Sequence, residues 1–290
     1  FENNEISSSF EKRFGNLGLI NRAFQNCYLE KSNTQSFFDN LINSQEGDYS
    51  RYLFFYINYL ISQNNLTKAK NEGLNINPLG SNLLTLQTKK WIDEENFEEF
   101  GKIFSCKNTN DLIAEFLFLI SNLYSSEGDL VKSNYYLNLS RYLNPKFNFN
   151  LSLLVENYFE NNEFAKIKKI LKNFDKKNEI YHWYKIKKIT EIINKENDPE
   201  QSFEYISSEF TKIKNPSLKI IYDMGNFAKA FKKYDLSIKY YSKVLSQLNP
   251  ESLIYADILY RRGGSYERLG NEKKSDADLL KSLEIYPNDP

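Results

Sequence analysis

The sequence predicts an all-α solenoid of about eight antiparallel helix pairs, and three observations point there. Two stretches superimpose without a gap: Tyr124-x3-Gly128-x4-Ser133-x3-Leu137-x2-Ser140-x4-Pro145 and Tyr266-x3-Gly270-x4-Ser275-x3-Leu279-x2-Ser282-x4-Pro287, six agreements over 22 residues. Polar turn signals recur at Asn64-Asn65, Glu95-Asn96, Gly128-Asp129, Asn162-Glu163, Asn197-Asp198, Tyr234-Asp235 and Gly270-Asn271, in steps of 31, 33, 34, 35, 37 and 36 residues. A fixed period in this range is the signature of stacked supersecondary units. Seven Pro and eleven Gly in 290 residues are too few for a protein of many β-turns.

The spacing within each unit has a physical reading. Leu117, Ile120 and Tyr124 form the apolar stripe of a first helix, as Leu259 and Tyr266 do in the last unit. Gly128 and Gly270 end those helices, because glycine enters the left-handed conformation at little cost. The small Ser133 and Ser275 let a second helix pack closely on the first, and Leu137 and Leu279 continue its buried stripe. Pro78, Pro145, Pro216, Pro250 and Pro287 lie between units, each disfavouring helix in the residue before it. The pairs fall at 5–43, 48–78, 79–109, 110–146, 147–178, 179–216, 217–250 and 251–290, those of 1–109 recognisable by period alone. No pair buries its stripe alone, so 1–290 reads as a single stacked array. Leu279, Leu280, Leu283 and Ile285 leave the last helix without a polar outer face. Continuation of the array past Pro290 is therefore expected, or self-association through this repeat.

These residues resemble the tetratricopeptide repeat (TPR) family. Its 34-residue unit is matched best by Met224-Gly225 through Tyr234, Ser237, Tyr241 and Val244 to Pro250, and by Gly263, Tyr266 and Gly270 to Pro287. The segment Tyr260 to Gly270 with Asp276-Ala-Asp278 is similar to long bacterial multi-repeat members. The resemblance implies a right-handed superhelix that binds a protein or peptide on its concave face. It also implies a bacterial source and, since many such members are exported, a periplasmic or envelope-associated place. Where the family favours Ala, this chain mostly has Ser.

Composition narrows the function classes. Lys+Arg and Asp+Glu both number 38, so the overall positive charge expected of a nucleic-acid binder is missing. The charge is nevertheless segregated: ten Lys between Lys166 and Lys195 face only Asp175, Glu179 and Glu191, while Asp93, Glu94, Glu95, Glu98 and Glu99 form an acidic cluster. Both read as solvated helix faces. Cys27 and Cys106, 79 residues apart, match no metal spacing and are expected as buried free thiols about two repeats from each other. No apolar run is long enough to cross a bilayer.

Catalytic chemistry has little to work with. His182, the single histidine, lies in Tyr181-His182-Trp183-Tyr184, where packing explains it better than general-base duty. There is no HExxH, CxxC, GxSxG or phosphate loop. Gly263-Gly264 reads as a close approach between helices, and Glu94-Glu95 and Glu98-Glu99 as surface acids. We expect no enzyme, cofactor or metal. First-helix residues off the buried stripe are the partner-binding candidates: Tyr184, Lys187, Tyr222, Asn226, Lys229, Tyr260, Glu267 and Arg268, with Gly264 and, in the fourth unit, Phe118, Asn122 and Ser125. Asn meets backbone amides, Lys and Arg meet carboxylates, and Tyr supplies rigid contact area. The full Lys/Arg and Asn set of carboxylate-clamp members is not seen. Two alternatives stand: an RNA-binding helical repeat of the pentatricopeptide kind, and a helical scaffold domain of a bacterial envelope enzyme.

Overall fold

The computed structural model describes residues 16–44, 50–80, 82–174, 177–196 and 198–287. Among them are sixteen α-helices, and the first eight are α1 (Asn16–Tyr28), α2 (Thr34–Ile42), α3 (Ser50–Ser62), α4 (Leu66–Leu74), α5 (Leu83–Asp93), α6 (Glu98–Ile103), α7 (Thr109–Ser126) and α8 (Leu130–Leu143). The other eight are α9 (Leu151–Glu160), α10 (Phe164–Ile170), α11 (Glu179–Lys195), α12 (Pro199–Thr211), α13 (Leu218–Ala230), α14 (Tyr234–Leu245), α15 (Leu253–Arg268) and α16 (Glu272–Ile285). They form eight antiparallel pairs. Residues 5–15 of the expected first pair lie outside the described residues.

One turn geometry closes every pair. The N–H just past the turn donates to the carbonyl five residues back: Lys31 to Asn26, Asn65 to Leu60, Asn96 to Trp91, Asp129 to Tyr124, Glu163 to Tyr158, Asp198 to Ile193, Lys233 to Ala228 and Asn271 to Tyr266. This satisfies a carbonyl that the helix end would strand, and it needs a left-handed residue just before it. Gly128 and Gly270 supply that residue, as expected, but Glu30, Asn64, Glu95, Asn162 and Lys232 adopt positive φ of 53–60° in five of the other turns. The seventh turn thus centres on Lys232, and Tyr234-Asp235, expected as the turn, is the first residue pair of α14. Side chains then cap the second helices: Asn65, Asp129, Asp198 and Asn271 each accept from a backbone N–H three residues on.

Hydroxyls tie the helices where the TPR pattern favours Ala. Ser140 Oγ donates to Ala114 O and Ser282 Oγ to Ala256 O, both at 2.7 Å. Ser121 Oγ donates to Ser133 O at 2.9 Å and Ser202 Oγ to Thr190 O at 2.7 Å, the partners in both cases 12 residues apart. A buried Ser is therefore hydrogen-bonded at each of these close contacts, which removes the penalty of burying it. Gly263 has the role expected of it, since a Cβ there would stand 3.1 Å from Leu279.

The described chain forms two units, one ending at Tyr181 and the other beginning at His182. The first has an aromatic centre. Phe55 and Phe104 meet edge-on at 4.7 Å between centroids, Phe54 stacks on Phe100, and Phe55 stacks on Phe147. Arg51 enters this apolar ground by pairing with the buried Glu115 through two bonds of 2.8 and 2.6 Å, by donating to Asn150 Oδ1, and by lying 3.7 Å over the Phe118 ring. Burial pushes the Glu115 carboxyl up, against the pull of Arg51. In the second unit, Trp183, Ile186, Ile206, Ile220 and Met224 form the buried centre.

The cysteines differ from expectation. Cys27 and Cys106 are disulfide-bonded with Cα atoms 5.9 Å apart, and there is no free thiol. In a regular solenoid each pair touches only its neighbours, which would keep them apart. Here α6 has only six residues, so the chain turns back early. Phe104 then packs on both Phe24 of α1 and Phe55 of α3, and carries Cys106 to Cys27.

The acidic cluster is neutralised by nearby lysines, the basic stretch only in part. Lys89 pairs with Asp93, Lys90 with Glu94, Lys70 with Glu95, and Lys102 with Glu98 and Glu99. In the basic stretch Lys166 pairs with Glu163, Lys188 with Glu191 and Lys187 with Asp223, while Lys168, Lys169 and Lys172 are exposed. Asp175 and Lys176 lie outside the described residues.

Candidate partner-binding face

The first helices α11, α13 and α15 carry the candidate residues of the second unit. Asp223 of α13 is the buried anchor: it accepts from Trp183 Nε1 at 2.9 Å and Lys219 Nζ at 2.9 Å, and pairs with Lys187 at 3.0 Å. Burial alone would raise its pKa, yet the two ammonium groups hold the carboxyl below the usual range. Lys219 moves down, chiefly through burial and against the attraction of Asp223. Lys187 is therefore a fixed member of a buried ion cluster.

One turn further along, α13 meets α15. The Tyr222 hydroxyl reaches Asp257 Oδ2 at 3.5 Å, and Asp257 pairs with Arg261, whose guanidinium lies over the Tyr222 ring. Tyr222 is only 9 % exposed. Asn226 accepts from Tyr241 of α14 at 2.7 Å. Lys229 Nζ donates to the Arg261 carbonyl at 3.1 Å and stands where a Cβ on Gly264 would meet it at 3.0 Å. Burial, with Arg261 and Arg268 behind it, lowers the Lys229 pKa. Among the described residues no carboxylate lies within ion-pair distance of Lys229 or Arg268. At the rim Glu267 and Arg268 are exposed, and Tyr260 is 58 % exposed.

The eight candidates thus divide. Lys187, Tyr222 and Asn226 are held by interior partners, Tyr184 is half-buried, and Lys229, Tyr260, Glu267 and Arg268 offer surface. Of the fourth-unit candidates, Phe118 lies beneath Arg51, Ser125 donates to Asn157 at 2.7 Å, and Asn122 is exposed. Sequence reasoning missed Lys219, Asp223, Asp257 and Arg261. The Asp257–Arg261 spacing of four residues was a readable signal of a helical ion pair; nothing in the sequence marks Asp223 as shared by two lysines. His182 is half-buried in α11. Among the described residues no group of three or more His, Cys, Asp or Glu is placed to hold a metal, and no helix is long and apolar enough to cross a membrane.

A tetratricopeptide repeat model matches residues 256–289, the α15–α16 pair. No curated protein matches the chain. Among solved structures, the APC/C hetero-tetramer Cut9–Hcn1 is similar over 99% of this chain and 52% of its own, at 13% identity and a TM-score of 0.44. This chain therefore spans about half the length of that relative. The TPR domain of P58(IPK) is similar over 97% of this chain and 87% of its own, at 14% identity and a TM-score of 0.29. Residues 256–289 thus match the tetratricopeptide repeat, and the chain is an all-α protein of TPR-like helix pairs.

Proposed function

We propose that the protein is a non-catalytic scaffold that docks an acidic segment of a partner protein on the α13–α15 face of its second unit. The carrying observation is the arrangement at Lys229. Its amino group is half-buried with a lowered pKa, backed by Arg261 and Arg268, and bonded to a carbonyl rather than a carboxylate. A carboxylate arriving there would offset the repulsion that Arg261, itself paired with Asp257, and Arg268 exert on Lys229, and form a charge-assisted bond. The exposed Tyr260 ring supplies contact area beside it. The α16 residues Leu280, 62 % exposed, and Leu283 support a second contact, with another protein or another copy of the chain.

Pull-down with the full chain, read by mass spectrometry, tests the reading. The triple variant Lys229→Glu, Tyr260→Ala, Arg268→Glu is the control, with circular dichroism to verify its fold. Tyr222 is left intact, because its buried ring would confound binding with stability. Partners retained equally by both proteins would remove the α13–α15 assignment. The RNA reading has weaker support, since Lys166, Lys187 and Lys188 of the basic stretch are already ion-paired. Filter binding of single-stranded RNA across a salt titration would revive it only with a steep loss of binding as salt rises.

A further inference from the structure

We propose that the protein is a client of a thiol–disulfide oxidoreductase, with Cys106 as the sulfur through which its bond to Cys27 is made and exchanged. Their Cα separation of 5.9 Å is one that a disulfide spans. The two residues are unequal. Cys27 is 3 % exposed near the end of α1, whereas Cys106 is half-buried in the loop between α6 and α7, beside the exposed Lys107. Both line a cavity of about 440 Å³ whose walls include Phe24, Phe55 and Phe104 and whose rim carries Glu30, Lys31 and Lys107. Lys107 pairs with Glu30, so an ion pair spans the same two segments as the disulfide.

Accessibility decides which sulfur reacts first. The Cys106 thiolate attacks one sulfur of the oxidant's disulfide, forming a mixed disulfide and releasing one thiolate of the oxidant. Cys27 gives up its proton, and its thiolate attacks Cys106 Sγ, forming the native bond and expelling the oxidant's second thiolate. Two electrons pass to the oxidant, which leaves as a dithiol. Such a bond persists in oxidising surroundings, so the chain completes its fold in a compartment of that kind.

The test uses the full chain and glutathione disulfide as the oxidant. Wild-type protein is reduced under native conditions, exposed to the oxidant, quenched with acid at intervals and mapped by mass spectrometry. Glutathione is expected first on Cys106, and the end product should resist alkylation at both cysteines until a reductant is added. First capture at Cys27, or two alkylatable thiols at the end, would overturn the proposal. In single variants, Cys106 of Cys27→Ser should react on the order of tenfold faster than Cys27 of Cys106→Ser; equal or reversed rates would also overturn it. Reduction of the wild type should lower its first melting transition by on the order of 10 °C, and an unchanged transition counts against it.

Discussion

The hydroxyl of Ser282 donates to the carbonyl of Ala256, 26 residues earlier, and Ser140 makes the same 2.7 Å bond to Ala114 across the same interval. Each bond ties the end of a second helix to the first turns of its partner, α16 to α15 and α8 to α7. Each buried hydroxyl is satisfied by that carbonyl, and Ser140 Oγ also accepts from Asn150 Nδ2 at 3.1 Å. Replacing either Ser by Ala should lower stability by about 1 kcal/mol. The two effects should add, since the sites share no partner. Urea unfolding of the single and double variants measures this. A neutral result at both positions would mean that these hydroxyls contribute nothing beyond Ala.

The left-handed turn residue offers a test of opposite sign. Lys232 and Glu95 hold φ of 60° and 56°, where a Cβ is crowded and glycine is not. Lys232→Gly and Glu95→Gly should each stabilise the chain by about 0.5–1 kcal/mol, the relief exceeding the added entropy of the unfolded chain. Gly270→Ala should lose about 1 kcal/mol at its φ of 73°. Denaturant midpoints decide both signs.

That turn also explains how much of the fold was legible. Where glycine fills it, at Gly128 and Gly270, sequence periodicity locates the turn to the residue. The period also places Asn64, Glu95 and Asn162 in their turns, but at Lys232 the geometry is the same while the side chain reads as an ordinary polar residue. This is why Tyr234-Asp235 looked like a turn two residues from the real one. On the candidate face, register placed Tyr260 at the surface and Lys229 partly so, but missed Asp223, because its role depends on lysines from two helices. The disulfide was not legible at all. It follows from the shortness of α6, and a separation of 79 residues carries no local signal.

Arg51 and Glu115 make a prediction about pairing inside an apolar centre. Arg51→Met alone leaves the buried Glu115 without its cation and should cost about 3–5 kcal/mol. The double variant Arg51→Met, Glu115→Leu removes both charges and should recover most of that loss, because desolvation of an ion pair offsets much of its attraction. A double-mutant cycle in urea separates the two effects. A double variant as unstable as the single one would show that Asn150 and the Phe118 ring, rather than the charges, depend on Arg51.

Asp223 sets the acid limb of the second unit's stability. Its folded pKa lies below the unfolded carboxylate value of about 3.9, so its contribution is fully present above that value. As pH falls through the lower folded value, the carboxyl takes up a proton and the contribution is lost. Asp223→Ala should remove this dependence below about pH 4. At neutral pH it should also cost about 3–5 kcal/mol, because Lys187, Lys219 and the Trp183 indole lose their common acceptor. Asp223→Asn keeps an acceptor for the indole and should fall between the variant and the wild type. Trp183 fluorescence, followed during urea unfolding from pH 3 to 7, reports on the bond directly. Identical acid limbs in wild type and Asp223→Ala would show that the carboxylate is not held ionised by its two lysines.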